Sequence, residues 1–237
     1  MSSWQRFKQW LADGVGIISA IIKSRSSDPL AWESAIRKFE AHDRLQPPPP
    51  DVIVFTGSSS ITFWSTLEQD MAPLPVVNRG FGGSHMNDVV YYAPRIVIAY
   101  RPQTVVLFAG TNDIAGSKPK TAQEVFAGYR AFVDVVHAAL PETPIVYLSI
   151  TPAPSRWKHW PIAQETNRLI HAHTETDPRL HFIDLTNIIL GPDGKPDRSL
   201  FRIDRLHPNK KGYARWTAAI KPVLLTDLKT AQGIAVR

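Results

Sequence analysis

Four short stretches of the sequence hold the residue types that acyl-transfer chemistry needs. They are Gly57-Ser58-Ser59-Ser60, Asn78-Arg79-Gly80-Phe81-Gly82-Gly83, Gly110-Thr111-Asn112-Asp113 and Asp204-Arg205-Leu206-His207. A serine hydroxyl is a weak nucleophile until a base within hydrogen-bond reach takes its proton. Asp204 and His207 can supply that base, because residues three apart in a loop or first helical turn can bring a carboxylate beside an imidazole. The carboxylate then fixes the tautomer and stabilises the cation. Attack on a carbonyl also creates an oxyanion, which needs donors aimed at it. Backbone N–H groups near Ser59 and Gly83, with the side-chain amide of Asn112, can provide three. Glycine at 83 lets the backbone approach a substrate closely.

These stretches need elements to position them. Apolar runs of strand length occur at Val52–Phe55, Val76–Val77, Thr104–Ala109, Ile145–Ile150 and Leu180–Asp184. Helical patterns lie between and after them, at 60–70, 86–100, 121–139, 161–175 and 209–221. Such alternation predicts βαβ units and a three-layer α/β/α fold with about five parallel strands. In open sheets of this kind ligands bind beyond the carboxyl ends of the strands. The four stretches follow the first, second, third and fifth strands, so the fold gathers them at one edge.

Together, in this order, the stretches resemble the signature blocks of the SGNH (GDSL-type) hydrolases, over Val52 to Trp216. The resemblance implies a flavodoxin-like sheet of order 2-1-3-4-5 and hydrolysis of esters or thioesters without a cofactor or metal. It implies Ser59 as nucleophile, Gly83 and Asn112 as oxyanion donors, and Asp204 and His207 as the other triad members. Where the family usually has aspartate before the nucleophile, this chain has Ser58. Three adjacent serines leave Ser60 as the alternative nucleophile. The expected activity is hydrolysis of small carboxylic esters with short acyl or acetyl groups, since no long apolar cap is evident. Acyl transfer to an alcohol or sugar, and carbohydrate deacetylation, use the same acyl-enzyme half-reaction. A rival reading takes Thr56, Ser58, Ser59, Ser60 and Thr62 as a phosphate or flavin cradle, but leaves Asn112 and His207 idle.

Composition narrows the classes. The 237 residues are 43% hydrophobic and 20% charged, too apolar for a disordered chain. The absence of cysteine excludes a disulfide framework, a thiol nucleophile and an iron–sulfur cluster. The net charge of +6 arises after residue 201, where eight Lys/Arg face two Asp/Glu. Arg202, Lys210, Lys211 and Arg215 are spread over a loop and a helix, which reads as a solvated face rather than a nucleic-acid site.

Two segments precede the first strand. In residues 1–27, Trp4, Phe7, Leu11, Val15, Ile18 and Ile22 recur at helical spacing. The apolar part is too short to span a bilayer and lacks a convincing cleavage site. It reads as an amphipathic segment for docking on the domain, a second copy or a membrane surface, in a cytoplasmic protein. Residues 28–237 read as one domain led by a helix, with Asp28 as N-cap, Trp32, Ile36 and Phe39 as its apolar stripe, and Pro47–Pro50 as a stiff connector. Phe81, His85, Trp157 and Trp160 are expected as substrate-binding walls. Asn78, Arg79 and Asp113 read as loop braces. The His171-x-His173 pair reads as a helix face rather than a metal site.

Overall fold

The computed structural model describes residues 28–116 and 118–231. The Asp28 carboxylate accepts the Leu30 N–H and starts a single 3-10 turn, Pro29–Trp32, that leads into α1 (Glu33–Leu45). After the proline connector come β1 (Ile53–Gly57), α2 (Ser59–Thr62), α3 (Leu67–Met71), β2 (Val76–Gly80), α4 (Met86–Ile96) and β3 (Thr104–Phe108). Then follow α5 (Ala122–Ala139), β4 (Ile145–Leu148), α6 (Trp160–Thr174), β5 (Leu180–Ile183) and α7 (Lys210–Ala231). The apolar runs are rich in Val, Ile and Phe, which suit a pleated, buried surface. All pairs are parallel, and the strand order is 2-1-3-4-5.

Register explains why the candidate residues converge. Gly57, the last residue of β1, lies opposite Gly80 on one side and Phe108 on the other. Three neighbouring strands therefore end at the same level, and their loops leave the sheet side by side. Side chains alternate between two cores, as the period of a strand demands. Val52, Val54, Val105, Leu107 and Tyr147 face α4, α5 and α6. Ile53, Phe55, Val106, Phe108 and Leu148 face α2, α3 and α7.

Three helices depart from expectation, and the simplest case is α4, which stops at Ile96 before a separate 3-10 turn, Ile98–Tyr100, instead of running to 100. The pattern at 60–70 breaks into α2 and α3, because the turn between them swings Trp64 into the core shared with α7. There its ring stacks on Tyr213 at 5.0 Å and its indole N–H bonds Asp70 at 2.7 Å. α7 runs past Pro222 instead of stopping near it, since Leu224 two residues on is buried in the same core. Residues 152–160, expected as a loop, contain a 3-10 helix, Pro154–His159.

The leading helix is fastened to the sheet. Ile36 is fully buried, and Arg95 of α4 reaches Glu33 at 2.6 Å and Glu40 at 2.7 Å. Asp43 accepts from the buried Arg79 of β2 and from Tyr100. The amphipathic reading of 1–27 falls outside the described residues.

Candidate active site

Ser59 sits on the tight turn from β1 into α2. Gly57 has φ +125°, and a Cβ there would lie 2.0 Å from the Phe108 carbonyl oxygen, so only glycine lets β1 end this close to β3. The Ser58 N–H then donates to that carbonyl at 3.0 Å. Ser58 and Ser60 are buried at 2% and 8% exposure, whereas Ser59 is partly open. The Thr56 hydroxyl donates to the Arg79 carbonyl and that of Thr62 to the Ser58 carbonyl. Two hydroxyls of the phosphate reading are thus engaged by backbone carbonyls and two more, on Ser58 and Ser60, are buried, so Ser59 is the serine presented at the edge. Ser60, the alternative nucleophile, is covered, and its carbonyl accepts the Tyr213 hydroxyl.

The Ser59 Oγ lies 2.7 Å from His207 Nε2, and His207 Nδ1 lies 2.7 Å from Asp204 Oδ2. The turn bearing this pair is closed by a Phe201–Pro208 bridge and by the Arg202 N–H donating to the His207 carbonyl at 2.9 Å. Inside it Arg205 takes a left-handed φ of +57°. The Arg205 carbonyl accepts two bonds from Ser155, N–H and hydroxyl, each 3.0 Å. Asp204 Oδ1 accepts the amides of Leu206 and His207 at 2.9 and 3.0 Å. Partial desolvation pushes the Asp204 carboxyl up, but the bonds from the His207 ring and the two amides outweigh it, holding the group at about 2. It is therefore an anion wherever the imidazole needs one.

On the other side of Ser59 lies the Gly82-Gly83 loop. A Cβ on Gly82 would meet the Ser59 Cβ at 3.7 Å, and Gly83 adopts φ +82°. Neither the Ser59 nor the Gly83 amide bonds an acceptor among the described residues. Asn112 Nδ2 donates one hydrogen to the Ser84 carbonyl at 3.0 Å, which orients the amide and leaves its second hydrogen for a ligand. The fully buried Asp113 carboxylate accepts Met86 N–H at 2.9 Å and Lys120 Nζ at 2.7 Å, locking this loop to the start of α4. Asn78 braces the second loop, accepting Gly80 N–H at 3.0 Å and donating to the Ile61 carbonyl at 2.6 Å.

The expected walls fare differently. Phe81 is 1% exposed and packs edge-on against Trp32 and Tyr92, so it is a core side chain, not a pocket wall. His85 caps α4, its N–H bonded to Asp88 at 2.7 Å and its half-buried ring beside that carboxylate. Trp157 and Trp160 stack on each other, centroids 6.3 Å apart. Trp160 lines a cavity of about 320 Å³ with Gln164, His171, Phe182 and Asp184, to which Ser59, Asn112 and His207 do not contribute. His171 packs on Phe182 and His173 on Phe126. Two neighbours of the site carried no motif. Phe63, 40% exposed, sets its ring edge against the His207 imidazole at 4.8 Å. Trp32 donates its indole N–H to the Gly82 carbonyl at 2.8 Å. Both belong to apolar patterns that read equally well as core.

The chain is 28% identical over 211 residues to the platelet-activating factor acetylhydrolase IB subunit alpha1 of Homo sapiens, covering 85% of this chain and 86% of that one. It superposes on a GDSL-like lipase from Bacteroides thetaiotaomicron with a TM-score of 0.69 at 20% identity, covering 81% and 98% of the two chains. A carbohydrate esterase family 3 structure from Talaromyces cellulolyticus gives 0.60 at 17% identity, covering 76% and 98%. Residues 57–215 match the model of the GDSL-like lipase/acylhydrolase family, a span that runs from Gly57 before the serine to just beyond His207. With that span covering more than half of the chain, the chain belongs to the GDSL-like lipase/acylhydrolase family.

Proposed function

We propose that this protein is a serine esterase that cleaves small carboxylic esters through an acyl-enzyme on Ser59. The observation that carries the reading is the unbroken line Ser59 Oγ, His207 ring, Asp204 carboxylate, with both links at 2.7 Å. Ser59 Oγ attacks the ester carbonyl carbon while its proton passes to His207 Nε2. Asp204 stabilises the resulting imidazolium and keeps Nδ1 protonated. The oxyanion is met by the amides of Ser59 and Gly83 and by the free hydrogen of Asn112 Nδ2. Collapse breaks the bond to the alkoxy oxygen, which leaves with the proton from His207. Water, deprotonated by the same nitrogen, then attacks the acyl carbon, and Ser59 is released with its proton restored.

The acyl group is short. The exposed Phe63 packs against the His207 ring that the Ser59 hydroxyl bonds, and the acetylhydrolase named among the relatives supports an acetyl preference. The test is a panel of acetyl, butyryl and octanoyl aryl esters, an acetyl thioester and an acetylated sugar, run on wild type and Ser59→Ala. The reading expects acetyl to lead the aryl series and Ser59→Ala to be inactive on every substrate. A preference for octanoyl would overturn the short-acyl assignment, and turnover by Ser59→Ala would overturn the mechanism.

A further inference from the structure

The peptide unit joining Gly82 to Gly83 carries both an acceptor that is used and a donor that is not. Its carbonyl takes the Trp32 indole N–H at 2.8 Å, while its N–H bonds nothing among the described residues. In a trans peptide these two groups point in opposite directions. Holding the carbonyl on one side therefore fixes where the N–H points on the other. The dipeptide runs between two side chains, a Cβ on Gly82 meeting Ser59 at 3.7 Å and a Cβ on Gly83 meeting Trp32 Cζ2 at 3.9 Å. The N–H turned away from Trp32 is the one the esterase reading assigns to the oxyanion.

Two consecutive glycines in an exposed loop can rotate their shared peptide plane at little steric cost. A donor free to rotate is not preorganised, and preorganisation is what makes an oxyanion donor effective. We infer that Trp32, from the leading 3-10 turn and outside every motif, is the positioning residue that locks this peptide and so aims the Gly83 N–H at the oxyanion. The indole is itself held in place. Its ring packs edge-on against the buried Phe81 at 6.1 Å, and α1 just beyond it is tied to α4 through Glu33, Glu40 and Arg95. The bond into the carbonyl also polarises the amide it shares, strengthening the donor. Trp32 touches no substrate in this account and acts only through the peptide.

This inference rests on the serine-esterase reading, so its test separates the two. Trp32→Phe keeps a ring against Phe81 and removes the N–H. With a soluble acetyl aryl ester, the variant is expected to lose about tenfold or more in kcat, with KM within twofold and the melting temperature little changed, since the lost alignment acts on the transition state. Affinity for an arylboronic acid, which forms a tetrahedral adduct with the serine, should fall by a similar factor. A merely structural role would move the melting temperature and leave kcat per folded molecule intact, and that result overturns the proposal. Wild-type kcat in Trp32→Phe, with Ser59→Ala inactive, overturns it as well. Turnover by Ser59→Ala would instead strike the underlying reading. If Trp32→Phe fails to fold, 3-benzothienylalanine at position 32 removes the N–H at nearly constant shape, and the same outcomes apply.

Discussion

At the scale of residues, exposure and hydrogen bonding separate groups that look alike in the sequence. Three consecutive serines are chemically equal, yet the fold buries Ser58 and Ser60 and presents Ser59 to His207. The motif residues were legible because acyl transfer demands particular types and the blocks occur in a fixed order. Phe63 and Trp32 were not, because their contacts join positions far apart in the chain and nothing local marks them. Asn112 has one amide hydrogen engaged with Ser84 and one free. Asn112→Ala should therefore cost roughly 10²–10³ in kcat at unchanged fold, the scale of one oxyanion donor. A loss below tenfold would remove it from the oxyanion site. The base predicts a pH effect of definite sign. Asp204 keeps its charge down to about pH 2, so activity lost at milder acidity is not lost through this carboxylate. A proton on His207 Nε2 abolishes its capacity to accept from Ser59. The profile of kcat/KM should fall on acidification with the slope of a single proton, and a flat profile with the fold intact would exclude His207 as base.

At the scale of elements, the strands were read correctly from their apolar runs, and their common ending was the useful consequence. The helix boundaries were less legible where tertiary packing decided them, as with Trp64 between α2 and α3 and Leu224 beyond Pro222. The attachment of α1 was not visible at all, since Arg95 and its two glutamates are separated by more than 50 positions. That attachment has a pH signature. Hydrogen bonds from Arg95, and then from Arg37, hold Glu33 at about 2, and Arg95 likewise lowers Glu40. A depressed carboxyl pKa contributes stability above the ordinary glutamate range, and that contribution fades as pH falls toward about 2. Arg95→Met should thus lower the melting temperature near neutrality, with the gap to wild type narrowing as pH falls from about 5 to about 2. A gap that is constant across this range would mean that the ion pairs do not fasten the helix.

At the scale of the whole molecule, the catalytic blocks all lie beyond Asp51, but the site draws on the leading element through Trp32. Fold class, strand order and block convergence followed from periodicity and family resemblance. The walls of the site did not, because Phe81 and Trp160 pack where only the assembled layers can say. Among the described residues no helix is long and apolar enough to cross a membrane. We propose that the apolar residues spaced along 1–27 dock on a surface, and none of the catalytic blocks lies within that segment. Removing 1–27 should accordingly leave hydrolysis of a soluble aryl ester within twofold of the full chain. It should also change either liposome sedimentation or the mass seen by light scattering. An inactive or insoluble 28–237 would place that segment in the domain's own core.

The most direct test of the central claim is to treat the protein with a fluorophosphonate and map the adduct by peptide mass spectrometry. Phosphonylation requires a serine activated by a neighbouring base, and the partly open Ser59 is the serine bonded to His207 Nε2. One phosphonyl group per chain is expected, on Ser59, with activity lost in proportion to labelling and no adduct in His207→Ala. Labelling of Ser60 in its place, or full activity in protein modified at Ser59, would contradict it.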